Sequence, residues 1–172
     1  MKKILGALLS LASFAVFAAP AANSVYVNGA VGATTTYNTS TGANNGSQVQ
    51  STGGYDLSGN FGVNLNRNLA LEVGYTNIWD ASGSNQWGVT DFAVRGTVPL
   101  GEVFDLYGRL GVAGYNNTPN GSMSVNTLGV LYGMGAEWNL SRQWALTAEY
   151  WGVTGSTVLS NGNVQGGVKF SF

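Results

Sequence analysis

Glu72, Asp91, Arg95, Asp105, Arg109, Glu137, Glu149 and Lys169 stand one at a time among apolar and small residues, and they hold most of the chemistry this sequence offers. The whole chain has seven basic and eight acidic side chains, no histidine and no cysteine. Without imidazole, carboxylates and guanidinium groups can pair with one another, hold a hard cation or act as a general base. A serine or threonine nucleophile would need such a base within reach, and Glu149 and Asp91 are the candidates. A catalytic carboxylate should lie near a loop or a lipid face, so ion pairing is the favoured role for both. Metal chemistry is confined to carboxylate oxygens, because nitrogen and sulfur ligands are missing. We assign no catalytic, cofactor-binding or metal-binding residue, expect no cofactor, and read the protein as not an enzyme. A net charge of −1 leaves no footprint for nucleic acid.

The elements that must position these charges follow from a period of two. In "YDLSGNFGVNL", Tyr55, Leu57, Phe61, Val63 and Leu65 oppose Asp56, Ser58, Asn60 and Asn64. The same alternation recurs in eight segments. It sets Leu71 and Val73 against Glu72, Phe92 and Val94 against Asp91 and Arg95, and Leu106 and Leu110 against Asp105 and Arg109. Further on, Trp138 and Val130 oppose Glu137, Leu146 and Tyr150 oppose Glu149, and Val168, Phe170 and Phe172 oppose Lys169. Every long charge therefore falls on the polar face. Short links near 65–68, 99–101 and 139–143 alternate with long polar stretches near 38–53, 79–87, 115–126 and 153–162. Tight turns at one end and long loops at the other, joining strands of bilayer-spanning length, predict an eight-stranded antiparallel up-and-down transmembrane β-barrel. One turn predicts a register: a three-residue loop at Pro99–Gly101 in "VPLGE" sets Arg95 opposite Asp105 and Asp91 opposite Arg109.

The N-terminus, "MKKILGALLSLASFAVFAAPAANS", places two lysines before an apolar run and then small residues, the order of a secretory signal. The run is too short for a permanent membrane anchor. We expect a cleaved signal over residues 1–21 and a barrel domain over 22–172, with cleavage after Ala18 or Ala21. Losing Lys2 and Lys3 from the seven basic residues leaves five (Arg67, Arg95, Arg109, Arg142 and Lys169) against eight acids, a net of −3. Export without cysteine means that no disulfide helps to hold the fold.

Hydrocarbon offers no partner to a backbone N–H or C=O, so a spanning sheet must close on itself and the last strand must pair with the first. Large rings near strand ends (Trp79, Phe104, Trp138, Trp144, Phe170 and Phe172) suit interfacial girdles, and the small and charged residues suit a narrow lumen. A soluble ligand-binding barrel is the disfavoured alternative. The lumen would hold six acids (Asp56, Glu72, Asp91, Asp105, Glu137 and Glu149) and three bases (Arg95, Arg109 and Lys169). Buried charges must be paired or solvated. Bridging arginines would make a plugged structural post; continuous water would make a narrow cation-preferring pore.

"GAEWNLSRQWALTAEYWGV" and the terminal "GGVKFSF" resemble the small eight-stranded outer-membrane proteins of the OmpA and OmpX type. The resemblance implies residence in the Gram-negative outer membrane as a monomer, in contact with its lipid and lipopolysaccharide. It also implies that Val168, Phe170 and Phe172 form a C-terminal signal read by the barrel-insertion machinery, with periplasmic chaperones acting during assembly. The sequence departs from OmpA itself in lacking the peptidoglycan-binding domain after the barrel. The function expected is structural or surface-interacting: envelope integrity, adhesion, or host and phage contact through the long loops, whose ligand the sequence does not name. A lipid-modifying enzyme is disfavoured for want of histidine.

Overall fold

A computed structural model describes residues 23–41, 47–81, 86–117, 125–154 and 159–172. The expected signal segment, 1–21, lies outside the described residues. Eight strands follow in chain order: β1 (Val25–Thr41), β2 (Ser47–Asn64), β3 (Leu69–Asp80), β4 (Gln86–Pro99), β5 (Phe104–Asn117), β6 (Val125–Asn139), β7 (Trp144–Thr154) and β8 (Leu159–Ser171). Each pairs antiparallel with its neighbours, and β1 pairs with β8, so the sheet is a closed barrel. Closure runs from Tyr26 opposite Ser171 to Asn38 opposite Leu159. The Phe172 N–H adds a bond to the Val25 carbonyl at 2.9 Å. No strand is left with a free edge.

The period of two fixes which residues look in. Val31, Leu110, Leu128, Met134 and Val164 are each more than 60% exposed on the outside, while Glu72, Arg95, Arg109 and Glu149 on the same strands or their neighbours are buried inside. Aromatic rings edge this apolar band at both ends. Near the short turns Phe104 stacks on Trp138, and Trp144, Phe170 and Phe172 pack in series. Near the other end Tyr55 stacks on Trp79 at 5.3 Å between centroids. Rings with one apolar and one wet side suit the two bilayer interfaces.

The short connections are 65–68, 100–103 and 140–143. Side chains replace backbone partners there. The Asn68 N–H donates to Asn66 Oδ1 (2.8 Å), and Ser141 Oγ accepts from the N–H groups of Gln143 and Trp144.

The β4–β5 register differs from the one the sequence suggests. The loop is Gly101–Val103, with the Leu100 N–H bonded to the Phe104 carbonyl and Gly101 at φ 107°. Arg95 consequently lies opposite Arg109, four residues further along β5 than expected, Pro99 lies opposite Asp105, and Asp91 lies opposite Ala113. The slide is even, so no side chain changes face. Its cause is the apolar band: Val98 meets Leu106 outside, whereas the expected register would have put Glu102 beside Val98 on the lipid face.

Candidate functional site in the barrel lumen

The even-numbered residues of β1–β3 and the odd-numbered residues of β4–β8 point into the lumen, and the lower half, toward the short turns, is ionic. Arg95 and Arg109 sit side by side on β4 and β5. Two guanidinium groups so close repel unless acids separate them, and four carboxylates do so, one from β4 itself and three from other strands. Glu72 of β3 forms an ion pair with Arg109 Nε at 2.5 Å and accepts from Arg95 Nη1 at 3.5 Å. Arg109 also reaches Asp91 (3.0 Å) on β4 and Glu149 (2.9 Å) on β7. Arg95 continues to Glu137 on β6, which Lys169 of β8 meets from its other side. The result is one connected chain of ion pairs, Lys169–Glu137–Arg95–Glu72–Arg109, ending on Asp91 and Glu149.

Tyrosines complete it. Tyr26 donates its hydroxyl to Glu72 (2.5 Å) and Tyr107 donates to Glu149 (2.9 Å). The Arg95 guanidinium lies 3.7 Å from the Tyr107 ring centroid and 5.8 Å from that of Tyr26, a stacking that only the planar cation can make. Both rings lie flat because their neighbours lack side chains: a Cβ on Gly62 would come 2.1 Å from Tyr26 Cζ, and one on Gly135 would come 2.4 Å from Tyr107 Cζ.

The eight expected network residues are thus distributed as follows. Seven are joined by ion pairs; Asp105 instead accepts a hydrogen bond from Asn139 Nδ2 at 2.8 Å, nearer the turn. Asp56 is buried on β2, apart from the chain of ion pairs. Glu149 and Asp91, the two conceivable general bases, are both held by Arg109. Four acids share three bases in the network, leaving one formal negative charge. Among the described residues no three acidic side chains gather as a metal site would require.

The upper half departs from the small, polar lumen that the alternation suggests. Ile78, Trp87, Val89, Ala93, Ala113, Tyr115, Leu131, Trp151 and Val153 form one buried apolar cluster inside the barrel, contributed by β3 to β7. The sequence hides this layer because apolar residues there occupy both faces. In "GVLYG" Val130 and Tyr132 face out while Leu131 is only 1% exposed, so the period of two vanishes locally. Gly129 and Gly133 flank Leu131 on the same inward face of β6. Asp80 is a further buried acid, unanticipated because it borders a polar loop.

Val168, Phe170 and Phe172 lie on β8 and just beyond it. Val168 and Phe172 are 44% and 69% exposed on the outer face, and Phe170 contacts both Trp144 and Phe172.

The fold has solved counterparts. Neisserial surface protein A is 18% identical, with 86% of this chain and 97% of that chain aligned at a TM-score of 0.66. The N-terminal barrel domain of Pseudomonas aeruginosa OprF is 19% identical, with 88% and 98% aligned at 0.64. Ail, the attachment invasion locus protein of Yersinia pestis, is 14% identical, with 88% and 99% aligned at 0.55. At such identities the likeness is one of architecture. No curated protein matches in sequence. Residues 4–172 match the family described as outer membrane protein beta-barrel domain, and the chain belongs to that family, an eight-stranded barrel of the Gram-negative outer membrane whose apolar face contacts lipid.

Proposed function

We propose that this protein is a monomeric, non-enzymatic structural barrel whose lumen does not conduct ions from end to end and whose loops are its contact with the exterior. The observation that carries the reading is the pairing of an ionic chain across the lower lumen with an apolar layer above it. A permeating cation would have to break hydrogen-bonded ion pairs and then cross a dry stretch, each step costing several kcal/mol. The rival reading, a narrow cation-preferring pore, needs continuous water along the same axis. Single-channel recording of the refolded protein in planar bilayers tests the choice. We expect no steady steps; reproducible cation-selective steps sink the closed reading.

Attachment at the cell surface is the specific activity that one structural counterpart suggests: Ail is an attachment invasion locus protein with the same architecture. Of the long polar stretch 38–53, residues 38–41 end β1 and 47–53 open β2, so the reading rests on that likeness. Cells displaying the protein with residues 42–46 and 118–124 shortened should lose adherence if the loops carry it.

Assembly fits the same picture. Signal cleavage would release the barrel from residue 22, periplasmic chaperones would hold it, and the insertion machinery would read Val168, Phe170 and Phe172 from the outward edge of the β8 seam. Insertion beside lipopolysaccharide follows for the outer leaflet. Phe172→Ala should slow machinery-dependent insertion while leaving spontaneous refolding in detergent near its original rate.

A further inference from the structure

Above the ionic chain the lumen has two unlike walls. Opposite the apolar cluster, β8, β1 and β2 present Asn163, Thr34 and Asp56. β1 lies between the other two: Gly32 is flanked by Asp56 and Gln165, and Thr34 by Gly54 and Asn163. A Cβ on Gly32 would stand 3.0 Å from Asp56 Oδ1 and 2.7 Å from Gln165 Cβ, so the carboxylate leans into the space that the glycine leaves.

These groups are buried and unsatisfied. Asp56 is 2% exposed, Thr34 3% and Asn163 0%. Neither carboxylate oxygen of Asp56 has a hydrogen-bond partner, nor does Thr34 Oγ1 or Asn163 Oδ1. A buried carboxylate must be paired with a cation, hydrogen-bonded or neutralised. Among the described residues no base is left to supply that cation. Arg95, Arg109 and Lys169 are engaged in the lower chain, and Arg67 and Arg142 lie in the short turns at the far end. No loop at the upper end contains a lysine or arginine.

We propose that Asp56, Thr34 and Asn163 bind a monovalent alkali-metal cation that enters from the outer mouth. The donors are a carboxylate, a hydroxyl and an amide carbonyl, all hard oxygens, and hard cations take such ligands. One formal charge matches one positive charge. A divalent ion would call for more carboxylates than gather here. Gln165 Oε1 is already occupied by Ser58 Oγ (2.9 Å) and stays outside the ligand set. Water can fill the remaining coordination, with the unpartnered Trp151 Nε1–H as a donor beside Asn163. Asp56 neighbours Tyr55, whose stack on Trp79 marks the upper interface, so the site lies toward the outer end of the lumen. The ionic chain below makes the pocket blind.

The test is an amide-resolved NMR titration of the full barrel, refolded in lipid nanodiscs in N-methylglucamine chloride. Potassium, sodium and, separately, calcium chloride replace the bulky cation at constant ionic strength. Expected are saturable shifts at Gly32, Thr34, Asp56 and Asn163 with an alkali cation, and at least tenfold weaker binding in Asp56→Asn. That variant keeps the shape and removes the unpaired charge; unchanged heat-modifiable gel mobility checks its fold. The proposal is overturned by absent saturation, by an unaltered response in the variant, by calcium binding without alkali binding, or by an Asp56 carboxyl carbon resonance that reports the protonated acid.

Discussion

The lower and upper halves of the lumen close the same barrel by different physics. Below, seven charged side chains from six strands meet through directional contacts, and each depends on another: Arg109 alone serves Glu72, Asp91 and Glu149. Above, Ile78, Val89, Leu131, Trp151 and Val153 exclude water by packing, where partners are interchangeable so long as volume is kept. The comparison teaches that inward parity does not dictate polarity. An inward position in a membrane barrel is simply shielded from lipid, and either paired charge or packed hydrocarbon can fill it. The lower half is the more brittle of the two, because a lost partner strands a charge, while a lost methyl leaves only a gap.

That contrast can be broken by substitution. Arg109→Met should have the largest effect, about 3–5 kcal/mol, because it leaves three buried carboxylates short of a partner. Urea unfolding of the refolded barrel in lipid vesicles measures it. A loss under 1 kcal/mol would show the network to be solvated rather than sealed. Leu131→Ala should follow at roughly 3 kcal/mol, as truncation of a fully buried core residue does. The outward Leu110→Ala is its control; equal losses from the two would mean that the upper lumen is not packed. Tyr107→Phe keeps the ring over Arg95 but removes the donor to Glu149, for an expected cost of about 2 kcal/mol. Ser58→Ala, outside both regions, deletes one bond to Gln165 and should cost only about 1 kcal/mol. If Ser58→Ala rivals Arg109→Met, the ranking of the regions is wrong.

Legibility varied with the kind of information each residue carries. Lipid on one side and a shared lumen on the other impose a strict period of two, so Leu71, Glu72 and Val73 could be assigned to faces from sequence alone, as could Arg95 and Lys169. The turn at 99–103 was less legible, because "VPLGEV" admits two three-residue loops and Gly101 serves in either. What decides between them is whether Glu102 falls on the strand or in the turn, which is a matter of burial. Tyr26 and Tyr107 were readable as inward residues, yet their roles depend on glycines of neighbouring strands, Gly62 and Gly135, far away in the chain.

By itself the sequence determined the number of strands, their faces, the closure of the last on the first and the membrane outside, since each follows from a local rule repeated eight times. Only the tertiary structure decided that Arg95 faces Arg109, that Glu72 joins them, and that Leu131 and Trp151 share a dry layer. Those facts depend on stagger around the ring, and stagger is a property of all eight strands together: a slide of a few residues changes every partner while leaving every alternation intact.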